Sequence, residues 1–83
     1  MSVEAKVKDI LLEILDIQEQ DVIPTATFID DLGASSIDLV DIFTAFENTF
    51  DVRIDAQAGG KVKTVQDAIH LVQVALAEKG AGC

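Results

Sequence analysis

Three stretches of this chain place apolar residues at helical spacing, and the segments between them do not. In the first, Val3, Val7, Ile10, Leu11 and Ile14 share one side, while Lys6, Asp9 and Glu13 face away. With Ser2 as N-cap, the pattern predicts a helix from about Val3 to Asp16. In the second, Leu39, Ile42, Phe43, Phe46 and Phe50 form the stripe, and the helix should run to Phe50. In the third, Val65, Ala68, Ile69, Val72 and Ala75 or Leu76 line the inward side of a helix ending near Lys79 and Gly80. The second and third helices each open on a capping-box spacing, Ser35-Ser36-Ile37-Asp38 and Thr64-Val65-Gln66-Asp67, so Ser35 is the expected N-cap and Ser36 the first helical residue.

No helical period survives from Ile17 to Ala34, where Pro24, Gly33 and several Asp and Thr residues mark a long ordered loop. Ile17, Val22, Phe28 and Leu32 are the residues expected to pin it to the core. Asp51 to Asp55 is too short and polar for more than a turn with Ile54 tucked in. Ala56 to Gly60 has room for one helical turn, which its two glycines weaken. No alternating pattern of a β-strand occurs anywhere. The expected fold is therefore all-α, a bundle of three main helices plus a minor turn before the last one.

Composition narrows the functional classes. At 83 residues the chain makes one small domain that buries roughly 60–65% of its unfolded surface, enough for a modest core and no deep catalytic cleft. The net charge is -9, and between Asp9 and Asp51 there are eleven acidic residues and no Lys or Arg. Such a surface repels nucleic acid and anionic membranes and steers basic proteins toward it. With charged residues near Met1, no unbroken apolar run and no span long enough for a bilayer, the expected location is the cytoplasm and the expected state a monomer. The lone Cys83, after Gly80-Ala81-Gly82, excludes an internal disulfide and belongs to an expected frayed tail of residues 80–83. His70 falls off the apolar stripe and has no companion ligand, and Asp30, Asp31 and Asp38 lack EF-hand spacing, so no metal site is expected.

One residue stands out chemically. If Ser35 caps the second helix, the Ser36 hydroxyl is free of capping duty and sits at the positive end of the helix dipole, where unpaired backbone N–H groups favour an anion such as a phosphate ester, although by spacing alone a second serine beside a cap is more often a plain polar residue. Away from the core stripe, the same helix presents Ile37, Val40, Thr44 and Asn48 among Asp41, Glu47 and Asp51. That is an acidic face with apolar spots, which the pattern alone reads either as an ordinary solvated face or as a docking surface.

The run Phe28-Ile29-Asp30-Asp31-Leu32-Gly33-Ala34-Ser35-Ser36-Ile37-Asp38-Leu39-Val40, followed by Ala45-Phe46-Glu47, Phe50-Asp51, Ile54 and Thr64 to Ile69, closely resembles the acyl carrier proteins of dissociated fatty-acid and polyketide synthesis. The resemblance covers nearly the whole chain. It implies a four-helix carrier fold and a substrate carrier, not an enzyme. It also implies a covalent 4′-phosphopantetheine, taken from coenzyme A by a phosphopantetheinyl transferase and attached at Ser36, with acyl groups held as thioesters on its thiol. Ser35, Ile37, Asp38, Val40, Asp41, Thr44 and Glu47 would then meet basic patches on the transferase and on loading, ketosynthase, reductase or acyltransferase enzymes. In three places the chain departs from the family: Ser35 where aspartate is usual, Ile37 where leucine is usual, and Thr44 where a larger apolar residue is frequent. All three lie where partners touch. They leave open a specialised polyketide or lipid pathway, and an unmodified acidic adaptor stands as the alternative of a different class.

Overall fold

The computed structural model describes residues 2–54 and 59–81, the last two by backbone alone. Three α-helices lie among them: α1, Val3–Ile14; α2, Ser36–Phe50; and α3, Val65–Ala81. α1 packs against both of the others, while α2 and α3 meet least. A 3₁₀ turn, Glu19–Asp21, is the only other helical element of the long loop.

Each helix begins where its capping residues stand. The Ser2 hydroxyl accepts from the Ala5 N–H at 3.1 Å. At α2 the reciprocal box is complete: Ser35 Oγ accepts from the Asp38 N–H at 3.2 Å, and Asp38 Oδ2 accepts from the Ser35 N–H at 3.0 Å. At α3, Thr64 Oγ1 accepts from the Asp67 N–H at 3.2 Å, and Asp67 Oδ2 accepts from the N–H groups of Thr64 and Lys63. α1 ends two residues earlier than its pattern suggested, because Leu15 turns into extended backbone and buries its side chain. α2 ends on Asp51 in the left-handed region, φ 54°, and the Asp51 carboxylate reaches across to Lys79 Nζ at 3.1 Å, joining the C-terminal ends of α2 and α3. Gly80 and Ala81, expected in a frayed tail, continue α3 as helix. Gly82 and Cys83 lie outside the described residues, as do residues 56–58 of the expected minor turn; Gly59 and Gly60 are helical in backbone.

The core follows the apolar stripes. Val7, Ile10, Leu11, Ile42, Phe46, Val65, Ala68 and Val72 are buried, and Leu39, Phe43, Phe50, Ile54 and Ile69 pack against them half-buried. From the long loop come Phe28 and Leu32, buried as expected, with Ile17 and Val22 half-buried; Ala26 and Ala34 are buried as well. Lys6 is half-buried rather than turned outward, consistent with an apolar stem lying along the helix surface.

The loop is held by its backbone as much as by its side chains. The N–H groups of Val65 and Gln66, at the start of α3, donate to the carbonyls of Ala26 and Pro24, each at 3.0 Å, and the Phe28 N–H donates to the Lys63 carbonyl at 3.0 Å. Thr27 and Thr64 form an isolated antiparallel bridge. Donors that every helix leaves open in its first turn are thus satisfied from a remote part of the chain.

Two outcomes follow from the α3 cap. Thr64→Ala should cost about 1 kcal/mol in urea unfolding. The backbone N–H groups of Lys63 and Thr64 hold the Asp67 carboxyl below its ordinary value of 3.8, so its charge stabilises the fold above that pH and the contribution is lost as the pH falls through the lower, folded value. Asp67→Asn should therefore be less stable than the parent protein at neutral pH, with the gap closing in acid, as read by urea midpoints across a pH series.

Candidate functional site

Ser36 stands at the junction of the loop and α2. The junction is fixed from the loop side by the Ala34 N–H, which donates to the Phe28 carbonyl at 2.7 Å, and by Leu32 and Ala34, both buried. Gly33 makes the approach with φ +69°, a left-handed backbone that a side chain would strain. Two residues before it, Asp31 Oδ2 accepts from the Thr27 N–H at 2.8 Å and the Thr27 hydroxyl at 3.2 Å. That carboxylate holds the turn.

With the cap supplied by Ser35, the Ser36 side chain is exposed, and no described residue hydrogen-bonds its hydroxyl. The Asp38 N–H is taken by Ser35, which leaves the N–H groups of Ser36 and Ile37 pointing out of the first turn without an intramolecular acceptor among the described residues. An exposed hydroxyl beside two open donors at the positive end of a fifteen-residue helix suits a phosphodiester.

The other predicted contact residues divide into two groups. Ile37 is 74% and Val40 62% exposed, and Asp41 and Thr44 are exposed beside them: an apolar pair, an acid and a hydroxyl on one outer face. Asp38 and Glu47 already have partners. Asp38 completes the cap, and Glu47 Oε2 accepts from the Ile54 N–H at 3.1 Å, half-buried beneath the turn that follows α2. A helical projection places Glu47 outward because it cannot see a chain segment folding back over the end of the helix.

From Ser36 an open groove runs along α2, lined by Leu39, Val40, Phe43, Thr44, Glu47, Ile54, Gly59 and Gly60. It is mostly apolar. A larger depression of ≈ 680 Å³ lies at the far end of α2 among Glu47, Asp51, Arg53, Glu78 and Lys79, about 20 Å from Ser36 by helical rise, and its charged, solvated lining gives it no part in the chemistry at Ser36. Sequence reasoning put Phe43 in the core stripe and gave Gly59 no role; the groove depends on both, and only the tertiary fold brings them together. Ile29, 55% exposed on the loop, is a further surface apolar residue that no periodicity marks. Among the described residues no cluster of three or more His, Cys, Asp or Glu side chains is arranged to hold a metal, and no helix is long and apolar enough to cross a membrane.

Comparison with known proteins agrees with this geometry. Residues 5–72 match the family model described as "phosphopantetheine attachment site". The structure is similar to the crystal structure of an acyl carrier protein from Thermotoga maritima, with 34% sequence identity, coverage of 89% of this chain and 86% of that chain, and a TM-score of 0.77. The chain belongs to the acyl carrier family, whose prosthetic group is 4′-phosphopantetheine. It is a carrier and not a catalyst.

The two adjacent serines differ in their contacts, and stability should separate them. Ser35→Ala should cost about 1 kcal/mol through the lost cap, whereas Ser36→Ala should stay within about 0.5 kcal/mol of the parent protein, both read from urea unfolding.

Proposed function

We propose that Ser36 is the attachment residue and that the protein carries acyl intermediates of fatty-acid or related lipid biosynthesis as a monomeric, single-domain shuttle. What carries the reading is the exposed, unpartnered Ser36 hydroxyl at the start of α2, in a family defined by phosphopantetheine attachment. In the loading step, Ser36 Oγ attacks the phosphorus of coenzyme A next to pantetheine. The Oγ–P bond forms as the pyrophosphate P–O bond breaks, adenosine 3′,5′-bisphosphate leaves, and the hydroxyl proton passes to a base on the transferase. When bound, the group supplies a thiol on a flexible arm that holds an acyl chain as a thioester. The chain's own contribution is to fix the attachment point on a rigid helix end and to surround it with a surface that partners can find.

That surface is the exposed set Ile37, Val40, Asp41 and Thr44, joined at its edges by Ser35, Asp38 and Glu47. The partners are a phosphopantetheinyl transferase and acyl-loading or elongating enzymes with basic docking patches. Asp41, exposed beside two bare apolar side chains, is suited to long-range steering, while Ile37 and Val40 supply the short-range contact. Ser35, Ile37 and Thr44, where the family usually differs, support a specialised polyketide or lipid pathway as the second reading; the acyl group found on the protein purified from its source decides between the two.

Incubation with coenzyme A and a broad-specificity transferase should add one phosphopantetheine to the parent protein and none to Ser36→Ala. Modification of Ser36→Ala at the parental rate would end the assignment. Asp41→Lys should slow loading several-fold at low salt, with the difference shrinking as salt rises, and should leave the unfolding midpoint within about 0.5 kcal/mol.

A further inference from the structure

The groove beside Ser36 has an aromatic floor, and that floor stops it from running inward. Phe43 lines the groove and is half-buried. Behind it Phe46 is fully buried, with ring centroids 6.1 Å apart and the planes tilted by 56°, and Phe46 meets Phe50 edge-on at 6.3 Å. The three rings form a row along α2, of which Phe43 borders the groove and stands between it and the buried Phe46. On the opposite wall stands Gly59. A Cβ placed there would lie 3.0 Å from Phe43 Cε2 and 3.2 Å from Cδ2, tighter than most such contacts, so the ring packs closely on the glycine and a side chain at 59 would shift it by a few tenths of an ångström.

We propose that Phe43, seated against Gly59, is the residue that limits how much of an acyl chain this carrier shelters: the first few methylenes lie in the groove over Leu39, Val40 and Ile54, and longer chains are left in water unless the ring is displaced. The proposal rests on Ser36 being the attachment residue. It assigns the sheltered cargo to short acyl groups, and it makes the Phe43–Gly59 contact the determinant of length rather than a piece of core packing. Two features favour movement of this ring over its neighbours. It is only half-buried where Phe46 is fully buried, and it borders an open groove whose other wall is Ile54, Gly59 and Gly60 rather than another main helix.

The test is a chain-length series. Butanoyl to hexadecanoyl phosphopantetheine is transferred from the acyl-coenzyme A onto the parent protein, Phe43→Ala, Phe43→Leu and Gly59→Ala, with the added mass confirmed before anything else is measured. The rate at which hydroxylamine cleaves each thioester then reports the fraction of chain in water. Each methylene withdrawn from water shifts the sheltered equilibrium by about fourfold. In the parent protein protection should rise over the shortest chains and then level off. In Phe43→Ala it should continue to rise for a few further methylenes before levelling, at about fourfold each; Phe43→Leu should fall between the two and carries the test if the alanine variant fails to fold. Gly59→Ala, which presses on the ring, should change where the parental curve levels. Protection that grows without a break to hexadecanoyl in the parent protein, or identical curves for all four proteins, would overturn the proposal while leaving the carrier reading intact. Failure of any acyl group to load onto Ser36 would remove the carrier reading, and this proposal with it.

Discussion

The backbone hydrogen bonds between residues 24–28 and the start of α3 are the constraint on which the rest of the structure depends. They satisfy the opening donors of α3 from the carbonyls of Pro24 and Ala26, and they return the favour through the Phe28 N–H and the Lys63 carbonyl. The loop so fixed passes Phe28 and Leu32 into the core and closes on Ala34, one residue before the α2 cap. Ser36 is therefore positioned from both directions: by the helix it begins, and by a loop anchored on a different helix. In its proposed role as the attachment residue, Ser36 is thus open to solvent while its surroundings are held in one shape.

The same economy of contacts explains where the molecule is firm and where it can yield. α1 bridges the other two helices with its buried Val7, Ile10 and Leu11. α2 and α3 meet least, joined at their C-terminal ends by the Asp51–Lys79 ion pair and elsewhere by apolar side chains. That exposed pair contributes little to stability. The groove beside Ser36 is walled by α2 on one side and by Ile54, Gly59 and Gly60 on the other.

Much of this was legible in the sequence because the signals were local. Apolar spacing gave the three helices, and the capping spacings at Ser35–Asp38 and Thr64–Asp67 gave the starts of two of them to the residue, since a cap is made by atoms three positions apart. The spacing likewise left Ser36 as the hydroxyl free of capping duty, whereas its proposed role as the attachment residue came from the family resemblance and not from the spacing. What the sequence did not carry was non-local. Ala26 and Ala34 are buried yet too small and too aperiodic to announce it; Thr27 pairs with Thr64 across the chain; and Glu47, outward on a helical projection, accepts from Ile54 seven residues on. Of the residues proposed to meet partners, Ser35, Ile37, Val40, Asp41 and Thr44 are exposed, while Asp38 and Glu47 are half-buried and each accept a backbone N–H on one carboxylate oxygen.

The central claim is a distinction between neighbours: one serine holds the helix and the other holds the arm. It is tested most directly by fragment-ion mapping of the peptide spanning residues 30–53 after complete modification of the parent protein, which locates the added group to a single side chain. The expected result is phosphopantetheine on Ser36 alone, with Ser35 unmodified. The group on Ser35, or divided between the two serines, would contradict the account, because a hydroxyl engaged with the Asp38 N–H would then be as available as one that has no partner.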